Sequence, residues 1–391
     1  MCMKKLARRM ESLAPGIFSE LAKAKKEKEA TGIRVIDLSV GSPDLPPAPH
    51  IIEALRRGVE NPRNYTYPLA GKLELHQALA KWYKQRFNVD LDPASEVLTL
   101  MGSQDGLAHV ALAFINPGDI ALVPDPGYPI YSASIQLAEG EIYPLPLLAE
   151  NEFLPNLEQI PLEVAQRAKL LTINYPNNPV AASANADFFK KVIEFAKTYG
   201  IVVCHDVAYA ELAYDGFKPM SFLEVPGAKE VGIEFYSLSK TYNMAGCRIG
   251  FAVGNADVLR ALGTIKSNID YGVFAAVQEA GIAALTGDQE CVRQTAATYQ
   301  RRRDILVDGL AKLGWQMPKP QASMFIWAPL PKGYQSSVDF CLEFLDKTGI
   351  LIVPGVAFGA QGEGYVRIAM VQPEEDLLEA IARVTDSFSF S

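Results

Sequence analysis

The chain has 391 residues, of which 49% are hydrophobic and 21% are charged, and its formal net charge is −8. This composition is typical of a globular protein, and the acidic balance argues against the basic surface that a nucleic-acid-binding protein needs. The five cysteines are scattered without a C-x-x-C pair and there are only four histidines, so we expect neither a metal site nor a disulfide framework.

The N-terminal residues 1–16, MCMKKLARRMESLAPG, are basic but lack the apolar core of a secretory signal. No apolar run in the chain reaches the roughly 20 residues that a membrane span needs. We therefore expect a cytoplasmic protein with neither a membrane nor a nucleic-acid partner. The next segment, SELAKAKKEKEA (19–30), has the pattern of a helix whose charges face solvent, and residues 33–49 become extended and rich in proline.

From about residue 97, short apolar runs alternate with helical patterns. The runs predict strands at 96–102, 119–125, 168–176, 200–206, 234–240 and 248–255, and the intervening patterns predict helices at 106–116 and 186–200. Apolar strands that are separated by helices favour a mostly parallel sheet covered on both faces. The fold class is therefore α/β.

The last hundred residues have a different pattern. A long helical stretch begins near residue 288, and strand-like runs at 324–330, 350–355 and 365–371 flank a helix at 337–348. This order predicts a smaller α+β unit. We predict a large domain over residues 50–288 and a small domain that combines residues 1–49 with residues 289–391.

Polar side chains follow the ends of the predicted central strands. In an open α/β sheet, ligands bind beyond the carboxyl ends of the strands, so these side chains are candidates for one shared pocket. They are Ser103, Gln104, Tyr128, Asn178, Asp206, Tyr209, Ser237, Ser239 and Lys240, and Arg248 follows soon after.

The chemistry of this set points to one kind of ligand. Ser103 and Gln104 begin a helix, whose free N–H groups favour an anion, and the serines and Arg248 add further donors. Tyr128 can stack on a flat ring, and Asp206 can pair with a cationic ring nitrogen. Asn178 and Tyr209 can bond a ring oxygen, and Lys240 can form a Schiff base with an aldehyde. Together these features describe pyridoxal phosphate.

Five segments carry a resemblance to a known family: SLSKTYNMAGCRIG, HDVAYAEL, NYPNNP, DPGYPIY and the strand YVRIA. With them the chain resembles the class I/II pyridoxal-phosphate-dependent aminotransferases of fold type I over nearly its whole length. The most specific element is the spacing of eight residues between Lys240 and Arg248. The resemblance implies a large, mostly parallel-sheet domain and a smaller α+β domain.

The resemblance also implies a role for each candidate. Lys240 is the Schiff-base lysine and general base, Asp206 is the partner of the pyridine nitrogen, and Tyr209 and Asn178 bond the ring hydroxyl. Tyr128 stacks on the ring, whereas Ser103, Gln104, Ser237, Ser239 and Arg248 hold the phosphate. Arg367 binds the substrate α-carboxylate, with Gly41 close by. Members are usually homodimers in which a tyrosine of one subunit reaches the other subunit's phosphate; here it is Tyr67 or Tyr65, and spacing does not decide between them.

Several alternatives stay open. Asp206 and Ser103 also suit helix caps, Tyr128 suits turn packing, Arg367 suits a structural ion pair, and the Tyr65–Tyr67 turn suits a structural role. Where the family usually has Asn-Pro-Thr-Gly, this chain has Asn178-Pro179-Val180-Ala181, which puts the local turn in question.

Within the class, HDVAYAELAYDG and YPNNP are most similar to the LL-diaminopimelate aminotransferase group. That similarity implies LL-diaminopimelate as amino donor and 2-oxoglutarate as acceptor. A pyridoxal-phosphate-dependent C–S β-lyase is the alternative on the same fold, because it would use the same Lys240 and Asp206 without an oxo-acid acceptor. A non-enzymatic regulator is disfavoured, since no basic helix-turn-helix precedes residue 40.

Overall fold

The fold is seen in a computed structural model that describes residues 7–10, 13, 16–388 and 390. The helices, in chain order, are α1 (Ile17–Ala30), α2 (Pro49–Glu60), α3 (Leu73–Phe87), α4 (Ser103–Phe114), α5 (Pro129–Leu137), α6 (Leu162–Arg167), α7 (Ala186–Tyr199), α8 (Ala228–Val231), α9 (Leu238–Thr241), α10 (Ala256–Ser267), α11 (Ala275–Thr286), α12 (Glu290–Lys312), α13 (Ser337–Thr348) and α14 (Glu374–Ser387). The strands are β1 (Ile36–Asp37), β2 (Val97–Leu100), β3 (Ile120–Asp125), β4 (Glu141–Pro146), β5 (Ala168–Asn174), β6 (Val202–Asp206), β7 (Gly232–Ser237), β8 (Gly250–Gly254), β9 (Phe325–Pro329), β10 (Ile350–Leu351), β11 (Val353–Pro354) and β12 (Tyr365–Ala369).

A seven-stranded sheet lies at the centre of the molecule in the order β2-β8-β7-β6-β5-β3-β4. Strand β8 is antiparallel to both of its neighbours, whereas the pairs from β7 to β4 are parallel. The predicted α/β class with a mostly parallel sheet is therefore confirmed. Sequence reasoning missed β4, an edge strand whose segment EIYPLP contains two prolines that disguise it.

Side chains of the central strands alternate between two apolar cores, because successive residues of a strand point to opposite faces. In β7, Ile233 and Phe235 join the core under α4, α5 and α10, whereas Tyr236 joins the core under α3 and α7. In β8, Phe251 and Ala252 divide in the same way. Helices thus cover both faces, and the edge where the strands end stays open for a ligand.

The predicted strand at 234–240 is wrong at its C-terminal end. Strand β7 ends at Ser237, whose Oγ accepts a hydrogen bond of 3.1 Å from the backbone N–H of Ser239 and so caps the one-turn helix α9. Lys240 therefore lies on α9, three residues beyond the strand. Ser237 ends the strand because its side chain caps the helix that follows.

A second group of strands lies in the C-terminal part of the chain. Strands β11, β12 and β9 form an antiparallel sheet, and β1 pairs in parallel with β10, which places Ile36 beside Ile350. Their core includes Leu38, Trp315 and Phe344. The N-terminal strand thus packs with elements from the other end of the sequence. The domain division at residues 49 and 288 stays a prediction.

A buried hydrogen-bond network joins β6 to β7. The Glu234 carboxylate accepts bonds of 2.9 Å from Tyr83 Oη, Ser221 Oγ and the N–H of Phe222, and His205 Nδ1 lies 2.9 Å from it. His205 Nε2 lies 3.0 Å from the carbonyl oxygen of Tyr175. These contacts satisfy a fully buried carboxylate, as the interior of a protein requires. They also fix the end of β6, where Asp206 follows His205.

Hydrogen bonds hold the turn at residues 178–181, where the sequence departs from the family pattern. Ala181 has φ +57°, a left-handed conformation that glycine adopts more easily than alanine. Asn177 holds the turn at both ends: its side-chain oxygen accepts a bond of 3.0 Å from Val180 N–H, and its own N–H donates a bond of 2.9 Å to the Ala182 carbonyl. The turn therefore forms without the usual threonine and glycine, and the Asn178 N–H donates a bond of 2.7 Å to Asn174 Oδ1.

No helix among residues 7–10, 13, 16–388 and 390 is long and apolar enough to cross a membrane. The cytoplasmic location stays a prediction.

Candidate active site

A cavity of about 820 Å³ opens beyond the carboxyl ends of the central strands. Twelve of the residues that the sequence singled out line it: Gly41, Ser103, Gln104, Tyr128, Asn178, Asp206, Tyr209, Ser237, Ser239, Lys240, Arg248 and Arg367. These residues come from segments that are far apart in sequence. The strand-end argument predicted this meeting for all of them except Gly41 and Arg367, which the family resemblance implied.

Lys240 projects into the cavity from α9. Its Nζ donates a hydrogen bond of 2.7 Å to the carbonyl oxygen of Gly41. Burial, together with the nearby cations Arg248 and Arg367, lowers the pKa of Lys240 to about 8, against the opposing effect of Asp206. A much larger fraction of this amine is therefore neutral near pH 7 than of an ordinary lysine, and the neutral amine is the nucleophilic form.

Gly41 lies close to the aromatic wall of the cavity. A Cβ at this position would lie 2.4 Å from the ring of Phe325, so only glycine allows the backbone to approach the ring this closely. This close approach fixes the position of the Gly41 carbonyl, which accepts the hydrogen bond from Lys240.

Asp206 ends β6 and is buried. Its Oδ2 accepts a bond of 2.8 Å from Tyr131 Oη, and its Oδ1 accepts one of 3.2 Å from Ala208 N–H. Burial raises the pKa of Asp206 above its ordinary value, although these two hydrogen bonds act in the opposite direction. Asn174, one strand away, donates a bond of 2.7 Å to the Asp206 carbonyl and fixes its backbone. The carboxylate is thus held in one orientation at the cavity wall.

Another part of the cavity suits an anion. Helix α4 begins at Ser103 after Gly102, whose φ is +79°. A Cβ on Gly102 would lie 2.5 Å from Arg248 Nη2, so the guanidinium lies against the start of the helix. Arg248 Nη1 donates a bond of 2.8 Å to the Ala245 carbonyl. Free N–H groups of a helix start, a guanidinium and the hydroxyl of Ser237 make a donor set for a phosphate.

Arg367 lies on β12 and is almost fully buried. Its guanidinium carbon is 4.2 Å from the ring centre of Phe325 and 4.6 Å from that of Phe358. Nη1 donates a bond of 2.9 Å to Asn178 Oδ1, and Nη2 donates to the Ser39 carbonyl. Burial lowers the pKa of Arg367 to about 10. Its partners among the described residues are neutral, and its buried Nε has no hydrogen-bond partner among them.

Two tyrosines complete the inner wall. Tyr128 Oη donates a bond of 3.0 Å to Gln104 Oε1, and burial raises the pKa of Tyr128. Burial also raises the pKa of Tyr209, next to Asn178 and Asp206. Both phenols therefore stay protonated over the physiological range and are hydrogen-bond donors.

Tyr67 and Tyr65 do not line this cavity. Tyr67 is 77% exposed and packs edge to face on Tyr271, with ring centres 5.1 Å apart. Tyr65 is 66% exposed and donates a bond of 2.8 Å to the Val59 carbonyl. The chain's own fold therefore does not bring either tyrosine to its own Lys240.

Sequence reasoning missed three parts of the cavity wall. Tyr131 lies in the first turn of α5, three residues after Tyr128, the N-cap residue of that helix, and this short spacing is a signal that could have placed both at the same cavity. The positions of Phe325 and Phe358 at the cavity could not be predicted, because the sequence around them has the pattern of an ordinary apolar core.

The third missed part is α1, whose charges were predicted to face only solvent. The prediction is wrong for one face: Phe18, Lys25, Lys26 and Glu29 recur at helical spacing and line the cavity. Lys25 also pairs with Asp37 at 2.9 Å. The helix is held by Phe18, whose ring packs edge to face on Phe358 at 5.7 Å.

The residues present fit pyridoxal phosphate. An amine of lowered pKa suits its aldehyde, a buried carboxylate suits its ring nitrogen, and the start of α4 with Arg248 suits its phosphate. The unpartnered Nε of Arg367 leaves one buried donor for a further anion, such as a substrate carboxylate.

Comparisons with known proteins agree with this chemistry. The family model described as aminotransferase class I and II matches residues 33–384. The chain is 53% identical to an LL-diaminopimelate aminotransferase of Syntrophobacter fumaroxidans and 52% identical to one of Moorella thermoacetica, in each case over 97% of both chains.

Solved structures are similar over almost the whole chain as well. Substrate-bound BacF from Bacillus subtilis has a TM-score of 0.94 at 40% identity, over 100% of this chain and 99% of that one. A probable N-succinyldiaminopimelate aminotransferase from Thermus thermophilus has a TM-score of 0.89 at 38% identity, over 95% of this chain and 100% of that one. The chain therefore belongs to the class I and II aminotransferase family, and it is a pyridoxal-phosphate-dependent transaminase that moves an amino group from an amino acid to a 2-oxo acid.

Proposed function

We propose that this transaminase uses LL-diaminopimelate as its amino donor and 2-oxoglutarate as its acceptor. The observation that carries the proposal is the buried guanidinium of Arg367, which lines the cavity and has no carboxylate partner within the described part of the chain. Both substrates carry an α-carboxylate for this cation and a second charged end. The α1 wall offers Lys26 and Glu29 at the cavity, so groups of both signs are available for that second end. The curated relatives that are about 50% identical carry the corresponding name.

We propose the following roles for the residues, which their positions in the cavity support. Arg367 holds the α-carboxylate, and this contact orients the substrate so that its Cα–H bond faces Lys240. Lys240 Nζ takes the proton from Cα and later returns a proton, as a general base and acid of lowered pKa. The Gly41 carbonyl holds Nζ in place between these events.

Pyridoxal phosphate, when bound, supplies an electron sink that stabilises negative charge at the substrate Cα. Asp206 would hold a proton on the ring nitrogen, and Tyr131 and Ala208 N–H keep the carboxylate in position. Tyr128 would cover the ring face, and Tyr209 and Asn178 would bond the ring oxygen. Ser103, Gln104, Ser237, Ser239 and Arg248 would hold the phosphate.

We infer further that two copies of the chain form a homodimer and that Tyr67 reaches the phosphate of the other copy, with Tyr65 as the alternative. Support comes from an exposed apolar patch in which Tyr65, Tyr67, Leu69 and Tyr271 are each more than half exposed. Analytical ultracentrifugation should give twice the chain mass of 42.7 kDa. A sedimenting monomer that is fully active would contradict the shared site.

A panel of amino donors tests the substrate proposal. With 2-oxoglutarate as acceptor, LL-diaminopimelate should give glutamate with a higher kcat/KM than L-alanine, L-aspartate, L-methionine or L-phenylalanine, because only its far end carries both charges. Glutamate formation is measured by mass spectrometry. A different donor with a clearly higher kcat/KM would contradict the substrate. Release of pyruvate and ammonia from a thioether amino acid without any oxo acid would favour the C–S β-lyase instead.

Asp206→Asn tests the charge beside the ring nitrogen. Asparagine keeps the shape: its Oδ1 can accept the Ala208 N–H bond while its Nδ2 donates to Tyr131 Oη, so the melting temperature should change little. The loss of negative charge should lower kcat by about 100-fold or more, because the group stabilises charge that develops during the reaction. Steady-state kinetics and thermal denaturation of Asp206→Asn are compared with those of Asp187→Asn, an exposed aspartate at the start of α7. Equal kcat values in Asp206→Asn and the unaltered enzyme would refute the role.

A further inference from the structure

A buried group of charged side chains lies behind the start of α4, outside the cavity. Lys266, near the end of α10, has Nζ 2.7 Å from Asp105 Oδ2 and 2.6 Å from Asp270 Oδ1. His109 Nδ1 lies 2.7 Å from Asp105 Oδ1. The side chains of Lys266 and Asp105 are 8% and 7% exposed. None of these four residues takes part in the roles derived above.

The cluster has the composition of a cation site. Asp105, His109 and Asp270 each present a ligand atom, and these atoms lie within 4.8 Å of one another. The Lys266 ammonium lies between the two carboxylates, where a metal ion would otherwise lie. The cation of this cluster is therefore the Lys266 ammonium itself. Its effect on the cavity depends on Asp105, a carboxylate that it neutralises.

Asp105 lies where its negative charge would weaken the binding of a phosphate. It lies in the first turn of α4, directly after Ser103 and Gln104, which line the cavity. A bound phosphate ester carries about −1.5 to −2 charges at pH 7, and an uncompensated carboxylate in the same helical turn would repel it. Asp105 cannot turn away, because Oδ2 also accepts a bond of 2.8 Å from the Met101 N–H. Burial raises the pKa of Asp105, but the neighbouring His109 and the bonds from Lys266 and Met101 outweigh burial and hold this pKa at about 2.

We propose that Lys266 is a positioning residue for the cofactor phosphate: it neutralises and anchors Asp105, so that the start of α4 can accept a dianion. This inference rests on the proposed phosphate site at Ser103, Gln104 and Arg248. In this proposal Lys266 acts through its charge. A lysine that only supported the fold would have a different effect on binding. A structural brace would affect all ligands of the cavity equally, whereas charge compensation affects those that carry a phosphate.

The test is equilibrium binding to the cofactor-free protein, followed by absorbance. The two probes are pyridoxal phosphate and pyridoxal, which share the aldehyde and the ring but differ in the phosphate. Lys266→Met should raise the Kd for pyridoxal phosphate about tenfold and leave the Kd for pyridoxal within twofold. The double variant D105N/K266M should return the Kd for pyridoxal phosphate toward that of the unaltered protein. It removes the carboxylate in the first turn of α4 together with one cation, so the formal charge of the cluster is restored although Asp270 remains.

Two controls accompany these variants. Lys229→Met removes another lysine–carboxylate pair, at 2.6 Å from Glu96 Oε2 and outside the cavity, and should change neither Kd. Asp105→Asn alone keeps the acceptor for Met101 N–H, so it should not weaken pyridoxal phosphate binding. This variant also decides the question if Lys266→Met does not fold, since a tenfold rise in its Kd would overturn the proposal.

Three further results would overturn it: a Kd for pyridoxal phosphate within twofold of the original in Lys266→Met, an equal loss for both probes, or no recovery in the double variant. Failure of the unaltered protein to bind pyridoxal phosphate would instead contradict the proposed phosphate site as a whole. The two failures are therefore distinguishable in one titration series.

Discussion

Arg367 is buried and has no carboxylate partner among the residues that the structure describes, and this is the constraint around which the cavity is organised. A buried cation is costly unless it is paired or hydrogen-bonded, and here only the oxygens of Asn178 and Ser39 and two aromatic faces compensate it. The cost is visible in its pKa, which burial lowers to about 10. A substrate carboxylate would remove that cost on binding. The same positive charge helps to lower the pKa of Lys240, so in the proposed function one cation would serve both substrate recognition and the protonation state of the amine.

The rest of the fold keeps the charged groups where they are. The His205–Glu234 network ties β6 to β7 and thereby sets the position of Asp206 relative to α9. Asn174 donates to the Asp206 carbonyl and accepts a bond of 2.7 Å from the Asn178 N–H, so two site residues depend on one buried amide. Lys266 secures Asp105 in the first turn of α4. Rigid support of this kind is what allows an active site to hold unpaired charge.

The sequence indicated most of the site because its residues follow the ends of apolar strands, a position that local patterns reveal. Lys240, Asp206 and Asn178 were indicated in this way, and Arg248 by its spacing of eight residues from Lys240. The α/β sheet followed from the alternation of strands and helices. Residues whose neighbours come from distant segments could not be found. Phe325 and Phe358 read as core, and nothing in SELAKAKKEKEA shows that one face of α1 meets the cavity, because that depends on the packing of Phe18 against Phe358. Strand β4 was hidden by its prolines, and the Lys266 cluster joins two helices whose paired residues are 161 positions apart.

The central claim is that Lys240 is the residue that holds the cofactor. Borohydride reduction of the purified holoenzyme, followed by proteolysis and mass spectrometry, would fix the cofactor to whichever residue carries it. The account predicts a phosphopyridoxyl group on Lys240, in the peptide that contains Ser237 and Ser239. The same group on another lysine, or no modified lysine in a protein that retains its cofactor, would contradict it.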